Sequence, residues 1–175
     1  DWSLPTNIDV EGECNAFYDG QSINFYDQGG GCNATSLIAD VVWHEYGHGI
    51  NGYFYNSLNA NFNNGAMNEG YADIWAMSLG DIAEIGKGFY TDSEDGIRVY
   101  DEDPKVYPED LVGQVHADGE IICGAWYDTH LLMGGDWDAT MALFIDAYPG
   151  LQATAPNGSE GQAYTDVLLD VLQAD

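Results

Sequence analysis

The fold is decided by residues 40–49, which read Asp-Val-Val-Trp-His-Glu-Tyr-Gly-His-Gly. This stretch contains His44-Glu45-x-x-His48, and two histidines four positions apart on a helix lie on one face, so both imidazoles can reach a single ion. Glu45, beside His44, can take a proton from a water on that ion. The stretch therefore predicts a helix that carries two ligands and the general base of a zinc hydrolase.

Glu69 is the candidate for the third ligand, because a catalytic zinc takes three protein ligands and keeps one position for water. It lies on the next predicted helix, and Asp73 follows it by one turn. From there Asp73 can accept a hydrogen bond from the non-ligating nitrogen of His44 and fix its tautomer. The apolar neighbours of the two acids make a merely solvated helix face the weaker interpretation.

With these residues in place, the chain resembles the catalytic core of the thermolysin-type and fungalysin-type metallopeptidases, the gluzincin group. Their third ligand is a Glu in an Asn-Glu-x-x-x-Asp context, to which residues 68–73 are similar. The resemblance covers about residues 13–133. It implies an α+β, zincin-like core with a small β-rich upper lobe and a helical lower lobe around an active-site cleft.

The same resemblance implies roles for residues outside the two helices. Residues 15–20 resemble a rim strand that binds substrate backbone by antiparallel pairing, through Asn15 and Ala16. Arg98 matches the arginine that holds a substrate carbonyl, and His116 matches the histidine that stabilises the transition state. In the family an Asp usually orients that histidine. The nearest acid here, Asp110, is displaced by one residue from the matching position, so this role has no matching residue.

Three more matches concern specificity and a second metal. Val41 and Ile97 match positions that line the S1′ pocket, and both are apolar, so cleavage before bulky hydrophobic residues is expected. Asp40 matches a calcium-ligand position, which Asp81 or Glu84 could join. The resemblance thus implies Zn²⁺ as the cofactor and Ca²⁺ as an additional expectation.

The pattern of predicted elements, strands first and helices afterwards, argues α+β independently. Asp19-Gly20 between two alternating runs predicts a hairpin over residues 15–26. Helices are predicted from a cap at Asn33 or Thr35 to about Asn51, and over 67–80, 120–133, 140–148 and 160–173, with 52–65 and 84–115 irregular. We expect a single catalytic domain over 1–175, with 1–51 forming the hairpin and active-site helix and 52–175 a mainly helical lower part.

The charge balance excludes several partners. Three Lys and Arg face 30 Asp and Glu, for a formal net charge of -27, and such a chain repels phosphate backbones and anionic lipid surfaces. We therefore expect neither nucleic-acid nor membrane binding, and a protein or peptide as substrate. Salt or bound calcium would screen this charge, whereas a solvated acidic face is the equally weighted alternative.

The cysteines and the start of the chain indicate the cellular compartment in which the protein works. Cys14 and Cys32 flank the predicted hairpin and can form a disulfide, which leaves Cys123 as a buried thiol in an apolar run. The sequence contains no run typical of a signal peptide or a transmembrane helix, and it begins without Met. We expect a secreted, extracellular monomer made from a longer precursor.

Together these features predict a secreted zinc endopeptidase that hydrolyses peptide bonds with zinc-activated water and Glu45 as general base. A zinc aminopeptidase is disfavoured, because no segment before His44 supplies the acids that anchor a free amine. The rival from another class is a non-catalytic calcium-binding or adhesive module on a gluzincin frame. Loss of Glu45 or a ligand would mark such a module, and all four residues are present.

Overall fold

A computed structural model describes residues 3–174 and has the α+β architecture that the sequence predicts. A small sheet precedes a helical body, and the body contains a second, two-stranded ribbon. No helix within the described residues is both long and apolar enough to span a membrane. The strands are β1 Thr6–Val10, β2 Ala16–Tyr18, β3 Ile23–Tyr26, β4 Glu84–Ile85 and β5 Arg98–Val99, and the helices are α1 Ala39–Ser57, α2 Gly65–Gly80, α3 Val115–Leu132, α4 Trp137–Ala147 and α5 Glu160–Ala174.

The small sheet has the order β1-β3-β2, so β2 lies at an edge. β2 and β3 pair antiparallel, which confirms the predicted hairpin. Its turn is closed by Asp19, whose Oδ1 accepts hydrogen bonds from the backbone N–H groups of Gln21 and Ser22 at 2.8 and 2.7 Å. β1 runs parallel to β3, a long-range pairing that the hairpin pattern does not reveal. The sheet leaves one edge of β2 free for another chain to pair with.

A disulfide joins Cys14, just before β2, to Cys32, with their Cα atoms 5.2 Å apart. Cys32 also forms an isolated antiparallel bridge with Tyr90. The segment that enters β2 is thereby tied to the loop after β4, whereas Cys123 is free and buried, as the sequence suggested.

The predicted start of the first helix was wrong. Residues Thr35–Leu37 form a separate 3₁₀ turn, and α1 begins only at Ala39. Thr35 does not cap α1, because its hydroxyl donates instead to the backbone carbonyls of Asn15, at 3.0 Å, and Tyr26, at 3.3 Å. The turn therefore fastens the sheet to the helical body.

The predicted end of the first helix, near Asn51, was also wrong. The helix continues through Gly52 to Ser57. Tyr55 on the added turn is fully buried and packs on Phe62 and Tyr148. Burial of one aromatic side chain outweighs the roughly 1 kcal/mol that a helical glycine costs.

The third helix begins at Val115 rather than 120, so His116 lies in its first turn instead of the preceding loop. Gln114 caps this end by accepting a hydrogen bond from the N–H of Ala117 at 2.7 Å. Gly119, which suggests a break in the sequence, sits where α3 presses on α2. A Cβ at that position would lie 2.8 Å from the carbonyl oxygen of Ala66.

The remaining differences are smaller. α4 begins at Trp137, three residues before the predicted start, because Asp136 caps it, and the region predicted as irregular contains β4 and β5. α1 and α2 approach each other closely at Gly47, where a Cβ would lie 2.8 Å from the Cα of Ala72. These contacts hold the two helices that carry the predicted ligands at backbone distance.

Candidate active site

α1 and α2 bring the three predicted zinc ligands together. One ligand atom from each of His44, His48 and Glu69 lies within 4.8 Å of the others, and they are the only group of this kind within residues 3–174. Nε2 of His44 lies 3.3 Å from Oε2 of Glu69, and Nε2 of His48 lies 3.7 Å from Oε1. We refer to His44, His48 and Glu69 as the donor wall of the cleft.

His44 is oriented from behind by Asp73. Its Nδ1 lies 2.5 Å from Oδ1 of Asp73, and a carboxylate at that distance accepts the Nδ1 hydrogen. Nε2 therefore faces Glu69, and it offers a lone pair there once its own proton has been displaced. Asp73 in turn accepts two hydrogen bonds from Arg98, at 2.5 and 2.7 Å, and one from the hydroxyl of Tyr100 at 2.5 Å.

His48 has a different support. Its Nδ1 lies 3.1 Å from Oδ1 of Asn68, and that atom is identified as the oxygen because it also accepts a hydrogen bond from Asn51 Nδ2 at 2.8 Å. The amide of Asn51 is itself oriented by the backbone carbonyl of Asn68, which can only accept and lies 3.3 Å from Asn51 Nδ2, and the hydroxyl of Tyr148 then donates to Asn51 Oδ1. Nδ1 of His48 therefore donates, and its Nε2 lone pair also faces the centre of the group.

Two carboxylate oxygens in the same place lack hydrogen-bond partners. They are Oε2 of Glu45 and Oε2 of Glu69, both buried. A buried carboxylate oxygen without a partner is costly in a protein, and a cation is one way to compensate it. Two imidazole nitrogens and one carboxylate are the donors that a catalytic zinc takes, so these residues fit a metal of that kind.

Burial and neighbouring charges separate the pKa values of the group. Burial lowers the pKa of His44, but Asp73 and Glu69 outweigh it and raise the value to about 10. Burial and the charge of His44 lower the pKa of His48 to about 4. In the metal-free protein His44 is thus the protonated member, and a metal that binds its Nε2 displaces that proton.

The two glutamates shift in opposite directions. Burial raises the pKa of Glu45 to about 7, a suitable value for a group that must accept and return a proton near neutral pH. Burial would also raise the pKa of Glu69, but His44, His48 and His116 lower it to about 2. Glu69 is therefore ionised, as a metal ligand must be. Arg98 and His44 outweigh the burial of Asp73 and hold its pKa well below the usual range.

The opposite side of the cleft is formed by residues 14–18, which we call the upper rim. The cleft has a volume of about 520 Å³, and the rim segment, the donor wall, Arg98 and His116 all line it. Asn15 and Ala16 lie on the rim, where β2 has its free edge. Val41 and Ile97 also line the cleft, together with Phe89, and give it an apolar section. A groove of similar size between α3 and α5 contains none of these donors.

His116 reaches the cleft from α3. Its Nε2 lies 3.5 Å from Oε2 of Glu69, and its side chain is 53% exposed. Asp110, the acid displaced by one residue from the family position, accepts a hydrogen bond from the N–H of Val106 at 2.7 Å instead. The neighbour of His116 Nδ1 is instead the amide nitrogen of Gln114, at 2.8 Å.

Two residues to which the resemblance assigns a role, Arg98 and Asp40, have other partners in the structure. Arg98 lines the cleft, but its guanidinium is paired with Asp73, and its side chain is only 9% exposed. Asp40 accepts a hydrogen bond from the N–H of Gly86 at 2.5 Å, while Glu84 accepts one from the N–H of Gly96. Within residues 3–174 Asp40 belongs to no group of three side-chain ligand atoms as close together as those of His44, His48 and Glu69, and the calcium assignment stays a prediction.

Four residues that support the site were not predicted from the sequence. They differ in whether a local sequence pattern could have revealed them. Asn68 precedes Glu69 directly, and Asn51 lies one helical turn after His48, so local spacing could have found both. Tyr100 follows Arg98 by two positions on the same face of an extended segment. Tyr148 gives no sequence signal, because it reaches Asn51 from 97 positions away.

Comparison with known proteins supports the fold. No protein-family model matches the chain, and no curated protein matches it in sequence. The structure is similar to that of the precursor of protealysin, a metalloproteinase from Serratia proteamaculans, with a TM-score of 0.64 and 18% sequence identity. The match covers 91% of this chain and 64% of that one, so the chain spans less than two thirds of its neighbour. The likeness shows that the two proteins share a fold.

Proposed function

We propose that the chain is the catalytic core of a secreted zinc endopeptidase of the thermolysin or fungalysin type. The observation that carries the proposal is the convergence of two Nε2 lone pairs and the Glu69 carboxylate beside a buried, unpaired oxygen of Glu45. A metal-binding group alone would need no base beside it. The base, the donors and the free edge of β2 all border one cleft.

His44, His48 and Glu69 would hold the metal. When bound, zinc supplies Lewis acidity, which acidifies a water and polarises a carbonyl. Glu45 takes the proton of the attacking water at its carboxylate and later returns it to the leaving amine. His116 donates a hydrogen bond from Nε2 to the developing oxyanion, a contact typically worth about 10²–10³ in rate.

The substrate would lie as an extended strand along the upper rim. Asn15 and the carbonyl of Ala16 meet its backbone, which orients the scissile bond toward the donor wall. Val41, Phe89 and Ile97 supply apolar surface for one substrate side chain, which supports a preference for a hydrophobic residue after the cleaved bond. A cleavage profile dominated by charged residues there would contradict this preference.

Two further points support an extracellular site of action. The Cys14–Cys32 disulfide is typical of oxidising compartments. The formal charge of -27 is easily screened in a saline medium.

The deciding experiment measures hydrolysis of casein by the zinc-loaded protein, with and without a zinc chelator, beside Glu45→Gln. We expect the chelator to abolish hydrolysis and added zinc to restore it. Glu45→Gln should keep its zinc and lose at least about 10²-fold in kcat, because general-base catalysis contributes about 10²–10⁴-fold.

Activity that survives both treatments would refute the mechanism. A folded, zinc-loaded but inert wild-type protein would favour the non-catalytic module instead. Zinc content is measured on every sample, so a loss of metal is not mistaken for a loss of the base.

A further inference from the structure

Three histidines face the cleft, and their Nδ1 atoms have partners of two kinds. In two rings Nδ1 meets a side-chain oxygen, and in the third, His116, it meets the amide nitrogen of Gln114 at 2.8 Å. The pairs with an oxygen are His44 with Asp73, at 2.5 Å, and His48 with Asn68, at 3.1 Å. An oxygen accepts and an amide NH₂ donates, so the two kinds of partner impose opposite tautomers.

The orientation of the Gln114 amide follows from a second contact. Its other terminal atom accepts a hydrogen bond from the backbone N–H of Ala117 at 2.7 Å. A backbone N–H can only donate, so the atom facing Ala117 is the oxygen and the atom facing His116 is the NH₂ group. Reversing the amide would set its NH₂ group against the N–H of Ala117, two donors facing each other, and that hydrogen bond would be lost.

We propose that Gln114 is a positioning residue that holds His116 in the tautomer with its hydrogen on Nε2, so that the neutral ring presents a hydrogen-bond donor to the cleft. Nδ1 accepts from the Gln114 amide and cannot carry a hydrogen in that contact. Nε2 then carries it, at 3.5 Å from Oε2 of Glu69. His44 and His48 take the opposite tautomer, which leaves Nε2 free for a metal.

The backbone around Gln114 is shaped for this contact. Asp118 accepts hydrogen bonds from the N–H groups of Val112 and Gly113, at 2.8 and 3.0 Å. Gly113 has φ 78°, a conformation that favours glycine. The chain therefore enters α3 in a fixed path, and both Gln114 and His116 start from a held backbone.

The role of Gln114 in catalysis rests on the proposed peptidase function, but the tautomer does not. We would record ¹⁵N spectra of the zinc-loaded protein at pH 8.5, where the imidazole nitrogens with and without hydrogen have distinct shifts. The test variant is Gln114→Glu, which retains an oxygen for Ala117 but places a second acceptor against Nδ1. We expect His116 to carry its hydrogen on Nε2 in the wild type and on Nδ1 in the variant.

Activity provides the second readout. In Gln114→Glu we expect kcat at pH 8.5, the pH of the spectra, to fall by at least about tenfold with KM within about twofold, because a neutral ring with its hydrogen on Nδ1 has no donor at Nε2 for the transition state. The matched control is Asp136→Ala, which removes an equivalent cap, that of α4 at the N–H of Ala139, from a residue that does not line the cleft. It should lose stability but keep kcat.

Two results would overturn the proposal. One is a wild-type spectrum with the His116 hydrogen on Nδ1, and the other is a switched tautomer in Gln114→Glu with unchanged kcat in an active enzyme. A wild-type protein that shows the Nε2 tautomer yet hydrolyses nothing would refute the peptidase and leave the Gln114–His116 pairing established.

Discussion

The donor wall and the upper rim face each other across one cleft, but they are held in different ways. Every member of the wall lies on α1 or α2 and is fixed by neighbours within those helices or by Arg98, Tyr100 and Tyr148 behind them. The rim consists of the three-residue edge strand β2 and the two residues before it, and it is fastened by one disulfide, one threonine hydroxyl and pairing with β3. The wall is suited to fix a metal, whereas the rim can adjust to a substrate.

This comparison predicts that substitutions in the donor wall abolish metal binding, whereas substitutions in the upper rim leave the metal bound. Glu69→Ala should have the largest effect, because it removes the only anionic ligand of the group. We expect bound zinc to fall from about one per chain to near zero after dialysis, and casein hydrolysis to fall to background. Glu109→Ala, an exposed acid outside the cleft, is the control, and equal zinc content in both variants would contradict the assignment.

Asp73→Asn tests the support behind the wall. It leaves the guanidinium of Arg98 buried beside a neutral amide, and breaking one partner of a buried ion pair costs about 3–5 kcal/mol. Zinc affinity should also fall by about 10–100-fold, the usual effect of losing a ligand's hydrogen-bond partner. Urea unfolding and zinc titration measure the two effects.

The control for Asp73 is Tyr100→Phe, which removes one hydroxyl from the same carboxylate and should cost about 1 kcal/mol. If both variants lost the same stability, the Arg98 pair would not be the main support of Asp73.

At the rim, Cys14→Ser with Cys32→Ser should lower the free energy of unfolding by about 3 kcal/mol, the usual effect of opening a loop of this size. The separation is 18 residues. Zinc content should stay at the wild-type level while KM rises, because only the strand that meets the substrate is loosened. Reductant should shift the melting temperature of the wild type and not of the double variant; loss of zinc on reduction would mean that wall and rim are not independent.

The smallest effect is expected for Asn15→Ala, since Asn15 is exposed and lines the cleft. Loss of one substrate hydrogen bond should reduce kcat/KM by about tenfold. Thermal unfolding and zinc content should not change. An unaltered kcat/KM on peptides long enough to cover the rim would remove Asn15 from the substrate site.

The same contrast explains what the sequence could reveal. His44, Glu45 and His48 are related by helical spacing, and Glu69 and Asp73 by another turn of the same kind, so the wall was predictable from local order. The pairing of β1 with β3, the bridge of Cys32 to Tyr90 and the reach of Tyr148 to Asn51 depend on contacts between distant segments. No local pattern encodes these contacts.

The first turn of α3 was missed for a physical reason. Gln is not a favoured cap, and Gly119 suggests a loop, yet the glycine is there because α2 lies too close for a side chain. The assignment of His116 to a loop followed from that error, whereas the search for an acid beside it followed from the resemblance. The amide of Gln114 occupies the place where the resemblance led us to look for a carboxylate.

The separation of α1, α2 and α3 depends on three glycines that carry no Cβ atom, namely Gly47, Gly70 and Gly119. A Cβ at Gly70 would lie 2.6 Å from the carbonyl oxygen of Gly119, closer still than the 2.8 Å at which a Cβ at Gly47 would meet Ala72. Replacing helical glycine by alanine is a common route to thermostable enzymes. In this protein that route would push the ligand-bearing helices apart, so these three positions should be excluded from any engineering library that aims to keep a working catalyst.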